Sequence, residues 1–397
     1  MLIADTENSD PAIILGPMFV YLLGTFSFVL LLARAMPQTD SDIPFVVYSD
    51  PNWSTLYRAL EHGRNEHDLL LQQLSRSLEV IIQSKLDHES SLPDRIREKI
   101  SRVSEVLDED MQMLRERVLQ PFRARKVLAA HSSTPLDDDA APMISNASDF
   151  CRYRGQDASD HAYDSVGQVV AHIVRDWTNL GAPIRDATYR WCIEQINEAE
   201  GLEDPRILVP GAGLGRLAWE LASQGWTVEA LEHSLVMASA TASILQRGVS
   251  GFIHPYASEY FSNEVESSQR YEAVAVPDVE NPKDIRGSMS YRVSDFTLYR
   301  GMPGTKGAFN VVVTCFFIDT ATNVLDYMEV IWHILEEGGV WINVGPLQWH
   351  RNALLQLSGD ELKATMEEMR FDILSWNVDD EPIEYRSDSH RSTHFDA

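Results

Sequence analysis

"RILVPGAGLGRLAWELASQGWTVEALEHS", residues 206–234, decides how this chain is read. It sets a short apolar run, three glycines two apart, a helical stretch and a second apolar run ending in glutamate in a single line. Ile207, Leu208 and Val209 make a strand apolar enough to be buried on both faces, and Gly211, Gly213 and Gly215 follow at once. Glycine permits the sharp turn and lets a ligand lie against backbone N–H groups where the next helix starts. Glu232, 21 residues after Gly211 and at the end of the next strand, is placed to accept hydrogen bonds from a ribose diol. Taken alone, G-x-G-x-G also suits a structural turn or a dinucleotide such as NAD, although the spacing is not G-x-G-x-x-G.

Around this loop, helix and strand signals alternate from about residue 150 onward. Helical stretches run through "VGQVVAHIVRDWTNLG" and "IRDATYRWCIEQINEA", and strands are expected at 206–209, 226–231, 289–293, 311–318 and 340–345. A helix over 322–337, "TNVLDYMEVIWHILEE", is expected to stop at Gly338 and Gly339. Such alternation predicts an α/β fold, a parallel sheet with crossover helices on both faces. Upstream, residues 53–127 carry apolar positions three and four apart, which predicts two or three amphipathic helices packed on the main domain. Leu92 and Pro93, flanked by serines and Asp94, mark a break between two of them. The polar stretch 131–149, with its acidic triplet, reads as a linker between a helical region at 50–130 and a catalytic-type domain at 150–397.

Composition narrows the partners. Sixty acidic against 33 basic residues give a formal net charge of −27, which repels phosphate backbones and anionic lipid and makes nucleic acid a poor partner. Cys151, Cys192 and Cys315 are odd in number and widely separated, so neither a disulfide framework nor a metal site is expected. Residues 12–33, "AIILGPMFVYLLGTFSFVLLLA", are uncharged and long enough to span a bilayer, so 12–34 is a candidate membrane helix or an artefact of the chosen start, after a short tail at 1–11. The expected location is cytoplasmic, with the nucleus also open to it, and membrane-tethered if that span is genuine.

Pro210 before the glycines, the Asp295-Phe296 pair after the third strand and "EEGGVWINVG" after a long helix match the layout of a Rossmann-like class I methyltransferase. In that layout an acid and a neighbouring ring hold adenine by its amine and its face. The blocks "VPGAGLGRLAWELA", "VRDW" and "TCFFIDTATNVLDYMEVIWHILEEGGVWINVGPLQWH" resemble those of the carnosine N-methyltransferases, the N2227-like family, over about residues 150–385. The resemblance implies transfer of a methyl group from S-adenosyl-L-methionine to the imidazole ring of carnosine or a related histidine dipeptide, giving anserine. It further implies cofactor contacts from Arg175, Gly211, Gly213, Glu232, Asp295, Phe296 and Cys315, and dipeptide contacts from Asp319, His350 and Tyr385. Arg175 would pair with the cofactor carboxylate. His172 stands three residues earlier, where the family usually has glutamine, and would hydrogen-bond the cofactor with a pH dependence.

The chemistry suits these residue types. A neutral imidazole is already nucleophilic near pH 7, so the requirement is the right tautomer rather than a strong base. A carboxylate such as Asp319 accepting the N–H at one ring nitrogen leaves the other aimed at the methyl group and stabilises the charge that develops. Asp319 could instead cap the helix starting near Thr322, Cys315 could be plain core, and His350 a surface histidine. The C-terminus departs from the layout: "RFDILSWNV", 370–378, is expected as the sixth strand, and the residues after Tyr385 are too polar for a seventh, so the final strand is missing. Two competing readings stand beside the leading one. Methylation of a histidine in a peptide or protein would need an open groove, and a non-catalytic methyltransferase-fold protein would use the helices at 53–127 for binding.

Overall fold

The computed structural model describes residues 45–49, 52–84, 90–124, 164–199, 201–258 and 266–378. Tyr385, Cys151, the candidate membrane segment and the expected linker lie outside the described residues. Among the described residues no helix is long and apolar enough to cross a membrane.

In chain order the elements are β1 (Phe45–Tyr48), α1 (Ser54–Gln83), α2 (Leu92–Met113), α3 (Val166–Trp177), α4 (Ala182–Glu198), β2 (Arg206–Pro210) and α5 (Arg216–Ser223). Then come β3 (Thr227–Glu232), α6 (Leu235–Ala242), β4 (Gly251–Ile253), β5 (Val274–Val276), β6 (Ser288–Val293), β7 (Phe309–Cys315), α7 (Val324–Ile334), β8 (Leu335–Val344) and α8 (Gly359–Glu368). Side chains start several helices where the sequence offers a short polar residue: Ser165, Ser234 and Asn323 each accept a backbone N–H from the first turn of α3, α6 and α7.

Six strands form one parallel sheet in the order β1-β6-β3-β2-β7-β8, and β4 and β5 pair separately. Alternate residues of one strand enter different cores. Ile207 and Val209 join the larger cluster with α3 and α6, while Leu208 joins a second cluster with Val330, Ile331 and Ile334 of α7. Val311 and Val313 part from Val312 in the same way. Both faces of the sheet are therefore covered by helices, which is why these strands read as continuous apolar runs.

Three expectations are corrected. The helix before β8 ends at Ile334, and Gly338 and Gly339 lie inside the strand, at a bulge where pairing jumps from Phe309↔Leu335 to Val311↔Val340. Gly338 takes φ +82° there, a conformation that costs other residues, so the glycines serve the bulge and not a helix stop. The strand expected over 311–318 ends at Cys315, because Phe316 turns out of it at φ +53°. Residues 371–378 pair with no described strand: Arg370 turns the chain at φ +69°, and Phe371 packs on Trp332 (5.2 Å) and Trp341 (5.3 Å) instead of extending the sheet.

The upstream helices share the main core: Leu56, Leu60, Met111, Leu114 and Val118 sit in the cluster that holds β2. Polar bonds fix the junction, with Ser239 Oγ donating to the Gln120 carbonyl (2.8 Å) and Arg247 Nη2 to that of Arg117 (2.7 Å). In the last turn of α2, Asp110 takes the His254 backbone N–H on both oxygens (3.1 Å) and faces His254 Nδ1 at 2.8 Å. The Asp110 hydrogen bond raises the His254 pKa above 6.5 against burial and Arg102, with Glu109 assisting. A raised imidazole pKa gives stability that is full below 6.5 and is lost as pH rises through the folded value. Chemical denaturation between pH 6 and 8 should show that loss, and Asp110→Asn should flatten the dependence while lowering stability by about 2 kcal/mol.

Candidate functional site

The strand order reverses between β2 and β7, and the chain leaves the carboxyl ends of both strands beside that point, where open α/β sheets bind ligands. The glycine turn follows β2. Gly211 and Gly213 adopt φ +65° and +53°, and a Cβ on Gly211 would fall 2.2 Å from the Phe317 ring. A Cβ on Gly213 would stand 2.9 Å from His172 Nδ1 and 3.5 Å from Arg175 Nη2. The turn is thus pressed from one side by an aromatic ring and from the other by a guanidinium and an imidazole.

Glu232 closes the turn from the end of β3. Its Oε2 accepts the Gly213 N–H at 2.9 Å, and its Oε1 accepts those of His233 and Ser234 at 2.8 and 3.0 Å. Tyr291 donates its hydroxyl to the Gly213 carbonyl at 2.5 Å, and Trp177 Nε1 donates to Leu214 at 3.0 Å. Three peptide units of the loop are therefore held by side chains that approach from three different elements.

Arg175, in the last turn of α3, is buried. Its Nε and Nη2 donate to Asp176 at 2.7 and 3.0 Å, and Nη2 also meets His172 Nδ1 at 3.0 Å, which requires the imidazole to present a lone pair there. Its guanidinium lies 5.8 Å from the Phe316 ring. Cys315 ends β7 beside this group; burial pushes its thiol up to about 12, with Arg175 opposing, so it is packing and not a reactive thiolate.

Asp295 caps the short turn after β6, accepting from Thr297 N (2.8 Å) and Oγ1 (2.7 Å). Phe296 is only 5% exposed and packs edge-to-face on Phe317 (5.4 Å) and Tyr327 (5.2 Å), whose rings stack at 4.8 Å. The aromatic wall thus continues from Phe296 through Phe317 to Gly211. Asp319, buried after β7, accepts the Gln348 N–H on Oδ2 at 3.0 Å, which ties it to the segment carrying His350. It does not cap α7: Asn323 does, through Leu325 N. Burial raises the Asp319 pKa, opposed by the Gln348 hydrogen bond. Half-buried His350 accepts the Ala353 N–H on its carbonyl at 2.9 Å.

His172, Arg175, Gly211, Gly213, Glu232 and Cys315 are brought together by the fold, with Asp295 and Phe296 joined through Phe317. Sequence reasoning missed Asp176, Tyr189, Tyr291, Phe317, Tyr327 and Gln348. Asp176 lies inside the "VRDW" block, and Phe317, Tyr327 and Gln348 lie inside the long block that begins "TCFFID", so their neighbours marked them; Tyr189 and Tyr291 carry no such signal. The cradle fits a nucleoside donor with an amino-acid tail, offering glycine backbone, a carboxylate at the strand end and a buried cation.

Numbered from β2, the main strands run three, two, one, then four and five, with β1 added at the outer edge: a Rossmann-like, methyltransferase-type fold. The sequence profile of the carnosine N-methyltransferases matches residues 154–391, and the chain belongs to that family. It is 36% identical over 230 residues to carnosine N-methyltransferase of Mus musculus, covering 54% of this chain and 56% of the mouse protein. It is 31% identical over 236 residues to that of Schizosaccharomyces pombe, covering 53% and 63%. The chain spans about half the length of the relatives it matches. Haemonchus contortus phosphoethanolamine N-methyltransferase 2, solved with S-adenosyl-L-methionine, superposes with a TM-score of 0.35 at 13% identity, over 53% of this chain and 43% of that one.

Proposed function

We propose that this protein is an S-adenosyl-L-methionine-dependent N-methyltransferase that methylates the imidazole ring of carnosine or a related histidine dipeptide, giving anserine from carnosine. The observation that carries this is a buried carboxylate, Asp319, at the carboxyl end of β7, tied by Gln348 to the segment of His350 and one strand away from the glycine turn. When bound, S-adenosyl-L-methionine supplies an electrophilic sulfonium methyl group. Gly211, Gly213 and Glu232 would hold its nucleoside, Asp295 and Phe296 its adenine, Arg175 with His172 its amino-acid tail, and Cys315 would pack beside them.

On the acceptor side, Asp319 accepts the N–H of one imidazole nitrogen, so the other keeps its lone pair for in-line attack. The low-polarity surroundings that raise its pKa also strengthen its attraction for the ring as positive charge develops. His350, and Tyr385 beyond the described residues, would complete the dipeptide contacts. Incubation of the full chain with S-adenosyl-L-methionine and carnosine should give the methylated dipeptide, identified by mass spectrometry; donor binding without any dipeptide product would reject this acceptor.

A further inference from the structure

We infer that Asp176 is a positioning residue for the methyl donor: it holds the Arg175 guanidinium in the orientation that receives the donor's carboxylate. The inference rests on the reading of Arg175 given above and deepens it.

Asp176 is fully buried, and its carboxylate is committed to one cation. Arg175 reaches it through both Nε and Nη2, and the only other side-chain donor within 3.5 Å among the described residues is the Tyr189 hydroxyl, at 2.9 Å on Oδ1. Burial alone would raise the Asp176 pKa; the Arg175 guanidinium outweighs it and holds the carboxyl well below the usual range, so it is ionised wherever the protein is folded near neutrality.

Two other buried arginines lie close by and are served differently. Arg185 and Arg216 share Asp278, and Arg216 also pairs with Glu220 at 2.8 Å. Their remaining donors go to backbone: Arg185 to the carbonyls of Arg175 and Thr178, Arg216 to that of Asp176 at 2.8 Å. The main chain at 175–176 is thereby fixed without help from the Asp176 side chain. That leaves the Asp176 carboxylate with a single task, to fix the guanidinium plane of Arg175.

The geometry of the pair gives that task its purpose. Neighbouring helix residues do not ordinarily face one another, so a two-point contact between 175 and 176 at the end of α3 is a local arrangement that Tyr189 supports from α4. It sets Nη2 beside Gly213 and within 3.0 Å of His172 Nδ1, at the mouth of the glycine turn. An arginine so held needs no side-chain ordering when an anion arrives.

The test is calorimetric titration of S-adenosyl-L-homocysteine, the demethylated donor, into the full chain, Asp176→Asn, Arg175→Ala and the double variant. Asp176→Asn should weaken binding roughly 10- to 100-fold, because the carboxamide nitrogen opposes a guanidinium donor. Activity at saturating donor should stay within about threefold, placing the loss in donor KM and not in kcat. In the Arg175→Ala background the same substitution should change affinity by less than about twofold. Tyr189→Phe, milder and the substitute if Asp176→Asn does not fold, should weaken binding only while Arg175 is present. Equal losses in both backgrounds, or unaltered affinity in folded Asp176→Asn or Tyr189→Phe, would overturn the inference while the proposed function stands. Failure of the wild-type chain to bind the ligand would overturn the proposed function, and this inference with it.

Discussion

Asp319→Asn is expected to lower kcat for methyl transfer to carnosine by about 10²- to 10⁴-fold while leaving donor affinity unchanged. The carboxamide is isosteric and can keep the Gln348 N–H as donor to its oxygen, so the segment bearing His350 stays in place. What it lacks is the charge that favours one imidazole tautomer and stabilises the methylated ring. Product formation by mass spectrometry and donor titration of the same preparation separate the two effects; an unchanged kcat would remove Asp319 from the chemistry. The pH profile carries the same signature. In the proposed reaction Asp319 works as a carboxylate, and burial raises its pKa, so the acid limb of the wild-type profile should lie above the ordinary carboxylate value of 3.8. Protonation of the acceptor imidazole, with an unperturbed pKa of about 6.5, adds a second acid loss that Asp319→Asn retains. For folding the sign is opposite: a raised carboxyl pKa means the native state holds its proton more tightly, so this group's contribution falls as pH rises above 3.8.

Asp278→Ala should cost about 3–5 kcal/mol of folding stability, the penalty for leaving buried guanidiniums without their counter-ion. The Asp278 carboxylate is bound by Arg185 and by Arg216, and both arginine side chains are less than a tenth exposed. Burial and the like charge of Arg216 already press on Arg185, whose pKa is lowered while Asp278 opposes the fall. Arg216 keeps Glu220 and lies over Trp177 and Trp219 at 5.0 and 5.2 Å, so the damage falls chiefly on Arg185. Because Arg185 also holds the carbonyls of Arg175 and Thr178, donor affinity should drop together with stability. Asp278→Asn, which keeps an acceptor but no charge, should fall between wild type and alanine. Urea unfolding measures this directly, and a loss below about 1 kcal/mol would show that the arginines find other partners.

Much of the site was legible because it is written in local order. A strand, glycines and a helix must follow one another for backbone N–H groups to face a ligand, so Gly211, Gly213 and Glu232 could be picked out from a single stretch. Asp319 was ambiguous by the same local logic, since an acid just before a helix is also a cap. Only the presence of Asn323 on Leu325 N and of Gln348 on Asp319 rules out the cap, and Gln348 lies 29 positions away. The glycines at 338 and 339 misled for a related reason: a glycine after a helical run signals a stop, whereas here the pairing register of β7 with β8 needed them at a bulge.

The sequence by itself determined the parallel α/β class, the glycine turn and the helical nature of the upstream region, because periodicity and turn chemistry act over a few residues. Tertiary structure alone decided that Phe45–Tyr48 joins the sheet beside β6, that Phe317 closes on Gly211, and that Asp176 serves Arg175 while Asp278 serves Arg185 and Arg216. Those pairings join residues far apart in the chain, or choose among several nearby acids. The strand and ring contacts are settled by apolar burial and backbone pairing, and the acid–arginine pairs by which burial leaves no charge without a partner, conditions that exist only once the core has closed.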